Sequence, residues 1–234
     1  MGLFNDKTHF QYMRIFRFAS QSLRTDIYAT GCYPPGYLLV IAAADMFSSL
    51  IFYPSLGYNL LRNRLQPTSW AWYNRIDDSL LVGALPFQSM IPELRKENVG
   101  GIVCCTEEFE TKSLPTTMTK EAWEDEQFKF HAVPMQDFTG TTSRQNIQSA
   151  VEFMEEIAST GKTVYVHCKA GRTRSATVAI SYLMKRNDWA PNVAFEHLKS
   201  KRPQVLLRSA HWRTVNEYRR FLDSLKQQNS KLSV

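Results

Sequence analysis

Three observations predict an α/β fold for this chain, with a central, mostly parallel sheet flanked by helices. Strand-like and helix-like patterns alternate from about residue 70 to about residue 225, the order that builds parallel strands with helical crossovers. Thr163 to His167 is a short β-branched and aromatic run, a buried-strand pattern, and it turns through Cys168 to Thr173 into helical spacing from Ser175 onward. The length, 234 residues, is enough to bury one good-sized core, so one domain with an extension is expected.

The elements are read in order. Residues 1–36 form a basic extension in which Lys7, Arg14, Arg17 and Arg24 outnumber Asp6 and Asp26. From Met13, the run Met-Arg-Ile-Phe-Arg-Phe-Ala-Ser-Gln-Ser-Leu-Arg is rich in Arg and Ser and free of acids, as a mitochondrial presequence is; a basic tail without that role has the same composition. Pro34, Pro35 and Gly36 then break the chain. Within the segment 37–64, Tyr37 to Leu61 is the most apolar stretch, close to the length of about 20 residues that spans a bilayer. Asp45 and Pro54 count against a clean span, whereas Arg62 and Arg64 follow it as flanking cations would. The segment reads as a membrane anchor, spanning or interfacial, in preference to a buried helix.

Residues 65–228 are expected to hold the folded domain, with Trp70 near its start. Asp77-Asp78 marks a turn before a strand that runs from Leu80 to near Pro86. Ile91 and Leu94, with Pro92 in the first turn, suit a short helix. Gly101 to Thr106 reads as a strand, Thr119 to Gln127 as a short acidic helix and Phe128 to Met135 as a further strand. Ser143 is placed to cap a helix whose apolar face is Ile147, Ala150, Val151, Met154, Ile157 and Ala158, and Gly161 ends it. After the strand at 163–167 and its helix, Pro191 opens another helix. Trp212, Val215, Tyr218, Leu222 and Leu225 mark the last one.

Charge and cysteine usage narrow the function. A net charge of +6 suits an anionic partner, and with no zinc-finger, helicase-loop or repeat pattern, nucleic acid is not the expected one. Four cysteines, at 32, 104, 105 and 168, are too sparse for a disulfide framework and fit a reducing compartment. No spacing suggests a metal site or a cofactor.

The chemistry concentrates at residues 168–175. A strand turning tightly into a helix aims successive backbone N–H groups into one concavity at the positive end of the helix dipole, which is an anion site. Cys168 sits at its floor, where that field favours the thiolate. Arg174 can fork onto two phosphate oxygens, and Lys169, Ala170, Gly171, Arg172 and Thr173 complete the cradle. Lys169 and Arg172 add charge that favours a multiply anionic substrate such as a phospholipid head group. Ser175 is placed to hydrogen-bond the sulfur, and His167 to orient the loop through hydrogen bonds. Asp137, in a loop directly after a strand and flanked by Phe138 and Gly140, is the expected general acid for the leaving oxygen; Asp77 and Asp78 fall at the opposite strand end. Cys104 and Cys105 alternate along a strand expected beside the catalytic one. At most one can therefore approach Cys168, and pattern alone does not choose between them.

His167-Cys168-x-x-Gly171-x-x-Arg174-Ser175 resembles the signature of the cysteine-dependent phosphatases. Further segments are similar to one family of the dual-specificity superfamily, the mitochondrial protein tyrosine phosphatases that act as phosphatidylglycerophosphate phosphatases. These are Phe52-Tyr53-Pro54, Trp72 to Asp77, Leu81 to Pro86 and Glu107-Glu108-Phe109-Glu110. The resemblance covers about residues 50–222. It implies a dual-specificity-phosphatase-like fold, a phosphocysteine intermediate, and removal of the terminal phosphate from an anionic phospholipid in cardiolipin synthesis. It also implies attachment to the matrix side of the mitochondrial inner membrane and an acidic loop at 107–110 on the pocket rim. A dual-specificity protein phosphatase acting on phosphoproteins shares the same chemistry. A phosphate-binding module without catalysis would need only the nest.

Overall fold

The computed structural model describes residues 52–137 and 140–232. The chain divides into two compact units, Met1–Pro54 and Ser55–Val234. The basic extension at 1–36 and most of the segment at 37–64 lie outside the described residues. Residues 55–64 belong to the second unit, which starts ahead of the boundary expected at 65. Here residues 55–65 form helix α1, with Leu56 and Asn59 buried and Tyr58, Leu60, Leu61 and Leu65 exposed. Among the described residues no helix is long and apolar enough to cross a membrane.

Five strands make one sheet in the order β1-β2-β5-β3-β4. They are β1 (Tyr73–Arg75), β2 (Leu80–Gly83), β3 (Val99–Cys104), β4 (Lys129–Ala132) and β5 (Thr163–His167). The last four run parallel, and β1 pairs antiparallel with β2 along one edge. The mostly parallel sheet expected from the sequence is therefore present. The antiparallel edge was not anticipated, because a half-exposed three-residue strand carries no alternation to read. The strands are also shorter than their apolar runs: Cys105, Val133 and Met135 remain buried beyond the ends of β3 and β4.

Side-chain alternation on the central strands feeds two cores. Leu80, Val82, Val103, Val164 and Val166 face one side, and Leu81, Ile102 and Tyr165 face the other. Helices α5 (Arg144–Ser159), α6 (Arg174–Asn187), α7 (Pro191–Lys201) and α8 (Ser209–Leu232) cover the first face. The second is covered by α2 (Ile91–Lys96) and α4 (Lys120–Asp125), the latter contributing Trp123. Between them α3 (Glu108–Lys112) is a single turn. Ser143 caps α5, its hydroxyl accepting from Asn146 N–H at 3.2 Å, and the buried stripe is Ile147, Ala150, Val151, Met154 and Ile157. Gly161, at φ 73°, turns the chain out of α5 towards β5.

This layout puts β5 between β2 and β3, so the loop leaving β5 opens at the carboxyl edge of the sheet, between the loops that follow its two neighbours. Open α/β sheets hold their ligands at that position.

Candidate active site

The sharp turn after β5 requires Gly171. Its φ is +64°, and an added Cβ would stand 2.5 Å from the Gly83 carbonyl carbon and oxygen. A buried arginine holds the loop from behind. Arg202 donates from Nε to Gly171 O at 2.7 Å and from Nη2 to Ala170 O at 3.2 Å, and from Nη1 to Asn74 Oδ1 at 2.6 Å. Burial lowers its pKa to about 10, so it remains charged at neutral pH. Sequence reasoning missed this residue, since a lone arginine ahead of a proline carries no signal.

At the floor of the loop Cys168 is 3 % exposed. Burial by itself would raise the thiol. The opposing Arg174 charge, the Ser175 hydroxyl at 3.4 Å and backbone N–H bonds from Ser175 and Arg172 outweigh it, and the pKa falls below that of an ordinary thiol. Helix α6 begins at Arg174, with Thr173 as its N-cap, so the positive end of its dipole meets the same point.

Arg174 is buried and aimed by acceptors from two other loops. Its Nη1 donates to Met135 O at 2.9 Å, and its guanidinium grips Glu110 through two bonds of 2.5 and 3.0 Å. Asp137 Oδ1 lies 3.1 Å from Nη2. Lys169, also buried, donates to Ser55 Oγ of α1 at 2.7 Å and pairs with Asp137. Cys168, Lys169, Arg174 and Ser175 after β5, Asp137 after β4 and Glu110 after β3 thus share one site.

Arg172 lies over the Trp70 ring at 5.1 Å and donates to Gln204 O at 3.1 Å, so its guanidinium braces the rim while its N–H serves the sulfur. His167 is fully buried, and burial keeps its imidazole neutral, with a pKa of about 3, against the opposing pull of the Cys168 backbone beside it. Glu110 takes the larger positioning part. Its carboxylate also accepts from Glu107 N–H at 2.9 Å, half of a capping box around α3. That Glu-x-x-Glu spacing was the visible signal, though the tie to Arg174 was not. Among the described residues no group of three or more His, Cys, Asp or Glu is gathered as a metal ion would need.

A thiol held low in pKa at the floor of a strand-to-helix nest, faced by a buried arginine and a carboxylate, defines a cysteine-dependent phosphatase. Residues 89–221 match the catalytic domain of the dual specificity phosphatases. The chain is 40 % identical over 178 residues to phosphatidylglycerophosphate phosphatase PTPMT2 of Arabidopsis thaliana, covering 76 % of this chain and 75 % of that one. It is 39 % identical over 168 residues to PTPMT1 of the same plant, covering 72 % of this chain and 48 % of that protein, about half of its length. A crystal structure of PTPMT1 in complex with PI(5)P superposes with a TM-score of 0.63 at 31 % identity, covering 66 % of this chain and 99 % of that one. The chain belongs to the dual specificity phosphatase family and, within it, to the group of these phosphatidylglycerophosphate phosphatases.

Proposed function

We propose that this protein hydrolyses the terminal phosphate of phosphatidylglycerophosphate through a phosphocysteine, yielding phosphatidylglycerol for cardiolipin synthesis. The observation that carries the reading is the cation pair of the nest. Lys169 and Arg174 are both buried beside Cys168, two fixed charges suited to a dianionic ester. The relatives named for this activity, and the relative crystallised with a phosphoinositide, support a lipid phosphate as substrate.

The chemistry proceeds in two displacements. An arriving phosphoryl group takes the Arg174 fork and the loop N–H groups, and its charge competes with Asp137 for Lys169 and Arg174. Released from those cations and set beside a dianion, the Asp137 carboxyl rises in pKa and takes up a proton. The Cys168 thiolate attacks phosphorus, the bond to the glycerol oxygen breaks, and Asp137 delivers its proton to that oxygen. Asp137, again a carboxylate, then accepts a proton from the water that attacks the phosphocysteine. The sulfur leaves as thiolate, steadied by Ser175, and inorganic phosphate departs.

The basic and apolar segments at 1–36 and 37–64 fit delivery to the mitochondrion and attachment at the matrix face of its inner membrane, where such a lipid resides. The test is phosphate release by the full chain from phosphatidylglycerophosphate vesicles and from phosphotyrosine peptides. The expected result is a kcat/KM at least tenfold higher on the lipid. The reverse preference would make the enzyme a protein phosphatase.

A further inference from the structure

Beside the nest, the same edge of the sheet carries a second concavity. Leu60 of α1, Pro67 after it, Ala71 and Trp72 ahead of β1, and Phe87 and Met90 after β2 line a cleft of ≈ 530 Å³. Its polar neighbours direct their donors to protein acceptors: Asn63 Nδ2 donates to Trp70 O at 2.9 Å, and the Tyr73 hydroxyl to Glu93 at 2.8 Å. Glu93 lines one side with its carboxylate, and the rest of the lining is apolar, with the Trp72 and Phe87 rings 5.6 Å apart and Leu60 43 % exposed.

Both walls of the cleft are tied to the catalytic loop. Trp72 Nε1 donates to Leu85 O at 3.0 Å, and Leu85 N–H donates in turn to Lys169 O at 3.2 Å. The opposite wall belongs to α1, whose Ser55 accepts from Lys169 Nζ at 2.7 Å. Trp70, two residues before Trp72, lies against Arg172 of the loop. The cleft thus abuts the loop that forms the nest.

We infer that the cleft is a subsite for one acyl chain of a diacyl phosphate ester. The inference rests on the lipid-phosphatase reading above and extends it. Phosphate in the nest leaves the rest of such a lipid outside, and an acyl chain gains only where it meets apolar surface. Each methylene that enters the cleft should raise kcat/KM by about fourfold, the equivalent of transferring one CH₂ out of water, until the cleft is filled.

The experiment uses the full chain with phosphatidylglycerophosphates bearing four-, six- and eight-carbon chains, kept monomeric, beside the chain-free head-group phosphate. In the wild type, kcat/KM should climb with chain length over the head group alone. Leu60→Asp, at an exposed position, and Ala71→Phe, which fills the cleft, should each reduce that ratio at least tenfold for the eight-carbon lipid. Cooperative thermal unfolding identifies which variants are folded. A flat chain-length response on a head group that is itself hydrolysed overturns the subsite while leaving the phosphatase reading intact. So does a steep response that survives in both variants, or one seen only with apolar residues flanking a phosphopeptide. Absence of hydrolysis on every ester, head group included, would sink the phosphatase reading and the subsite with it.

Discussion

Glu110 and Arg174, 64 residues apart in sequence, meet in a buried two-pronged ion pair at the centre of the site. Neither side chain is more than 3 % exposed, and the pair sets where the guanidinium points before any phosphate arrives. Breaking one partner of such a pair leaves an uncompensated buried charge, which costs about 3–5 kcal/mol. Glu110→Gln should therefore lower stability by that order in denaturant unfolding. It should also reduce kcat/KM by about a hundredfold, the usual consequence of an ångström-scale misplacement. Glu110→Asp should recover part of both. A Glu110→Gln enzyme with wild-type kcat/KM would mean that Met135 O and Asp137 suffice to aim Arg174.

Asp137 faces Arg174 and Lys169 at rest, so its service as acid depends on the substrate displacing those contacts. Asp137→Asn should cost about two to four orders of magnitude on alkyl phosphates, the range of general acid catalysis. Aryl phosphates with acidic phenols need little protonation and should suffer at least tenfold less. Equal losses on both, measured as kcat/KM, would place the acid elsewhere.

What could be read from the sequence follows from how local each feature is. Strand β5 occupies Thr163–His167, as its β-branched run indicates, and the loop after it keeps its chemistry in one contiguous stretch. Asp137 was legible because it closely follows the apolar run 128–135, although strand β4 itself ends at Ala132. Glu110 and Arg202 were not, because their meaning lies in partners that the fold brings from far along the chain: Arg174 for one, Gly171 and Ala170 for the other. Helix α1 was masked by its own composition. Tyr58, Leu60, Leu61 and Leu65 make both of its faces apolar, so periodicity could not mark where the folded unit begins. The contact of Arg172 with Trp70, about a hundred residues earlier, was likewise invisible in the sequence.

His167 sets a pH limit on the fold. Its folded pKa, about 3, lies below the ordinary histidine value of 6.5 because burial disfavours the imidazolium. Between those values the unfolded chain binds one proton more than the folded one. This contribution to stability is complete above pH 6.5 and is lost as pH falls towards 3, at about 1.4 kcal/mol per pH unit. His167→Asn should remove that slope between pH 6 and 5, relative to wild type, in denaturant titrations. Parallel slopes for the two proteins would mean that the folded imidazole is charged.

The neighbour of Cys168 is Cys105. Cys104 pairs with His167 across β3 and β5, Cys105 N–H donates to His167 O at 2.8 Å, and Cys105 shares the core cluster of Cys168, whereas the Cys104 sulfur contacts Thr106 Oγ1 at 3.0 Å. Mild peroxide should oxidise the Cys168 thiolate to a sulfenic acid, which condenses with the Cys105 thiol to a disulfide and water. Activity should return with dithiothreitol in wild type but not in Cys105→Ser. Peptide mapping that finds Cys104 in the bond, or Cys168 overoxidised with Cys105 still free, would contradict this.

The central claim is that Cys168 carries the phosphoryl group. Rapid acid quench of the full chain during turnover of phosphate-labelled phosphatidylglycerophosphate, followed by peptide mapping, tests it directly. The expected result is a single labelled peptide with the phosphate on Cys168 sulfur. Cys168→Ser should show no label and no turnover while still binding the lipid. Label on any other residue, or sustained turnover by Cys168→Ser, would contradict the account.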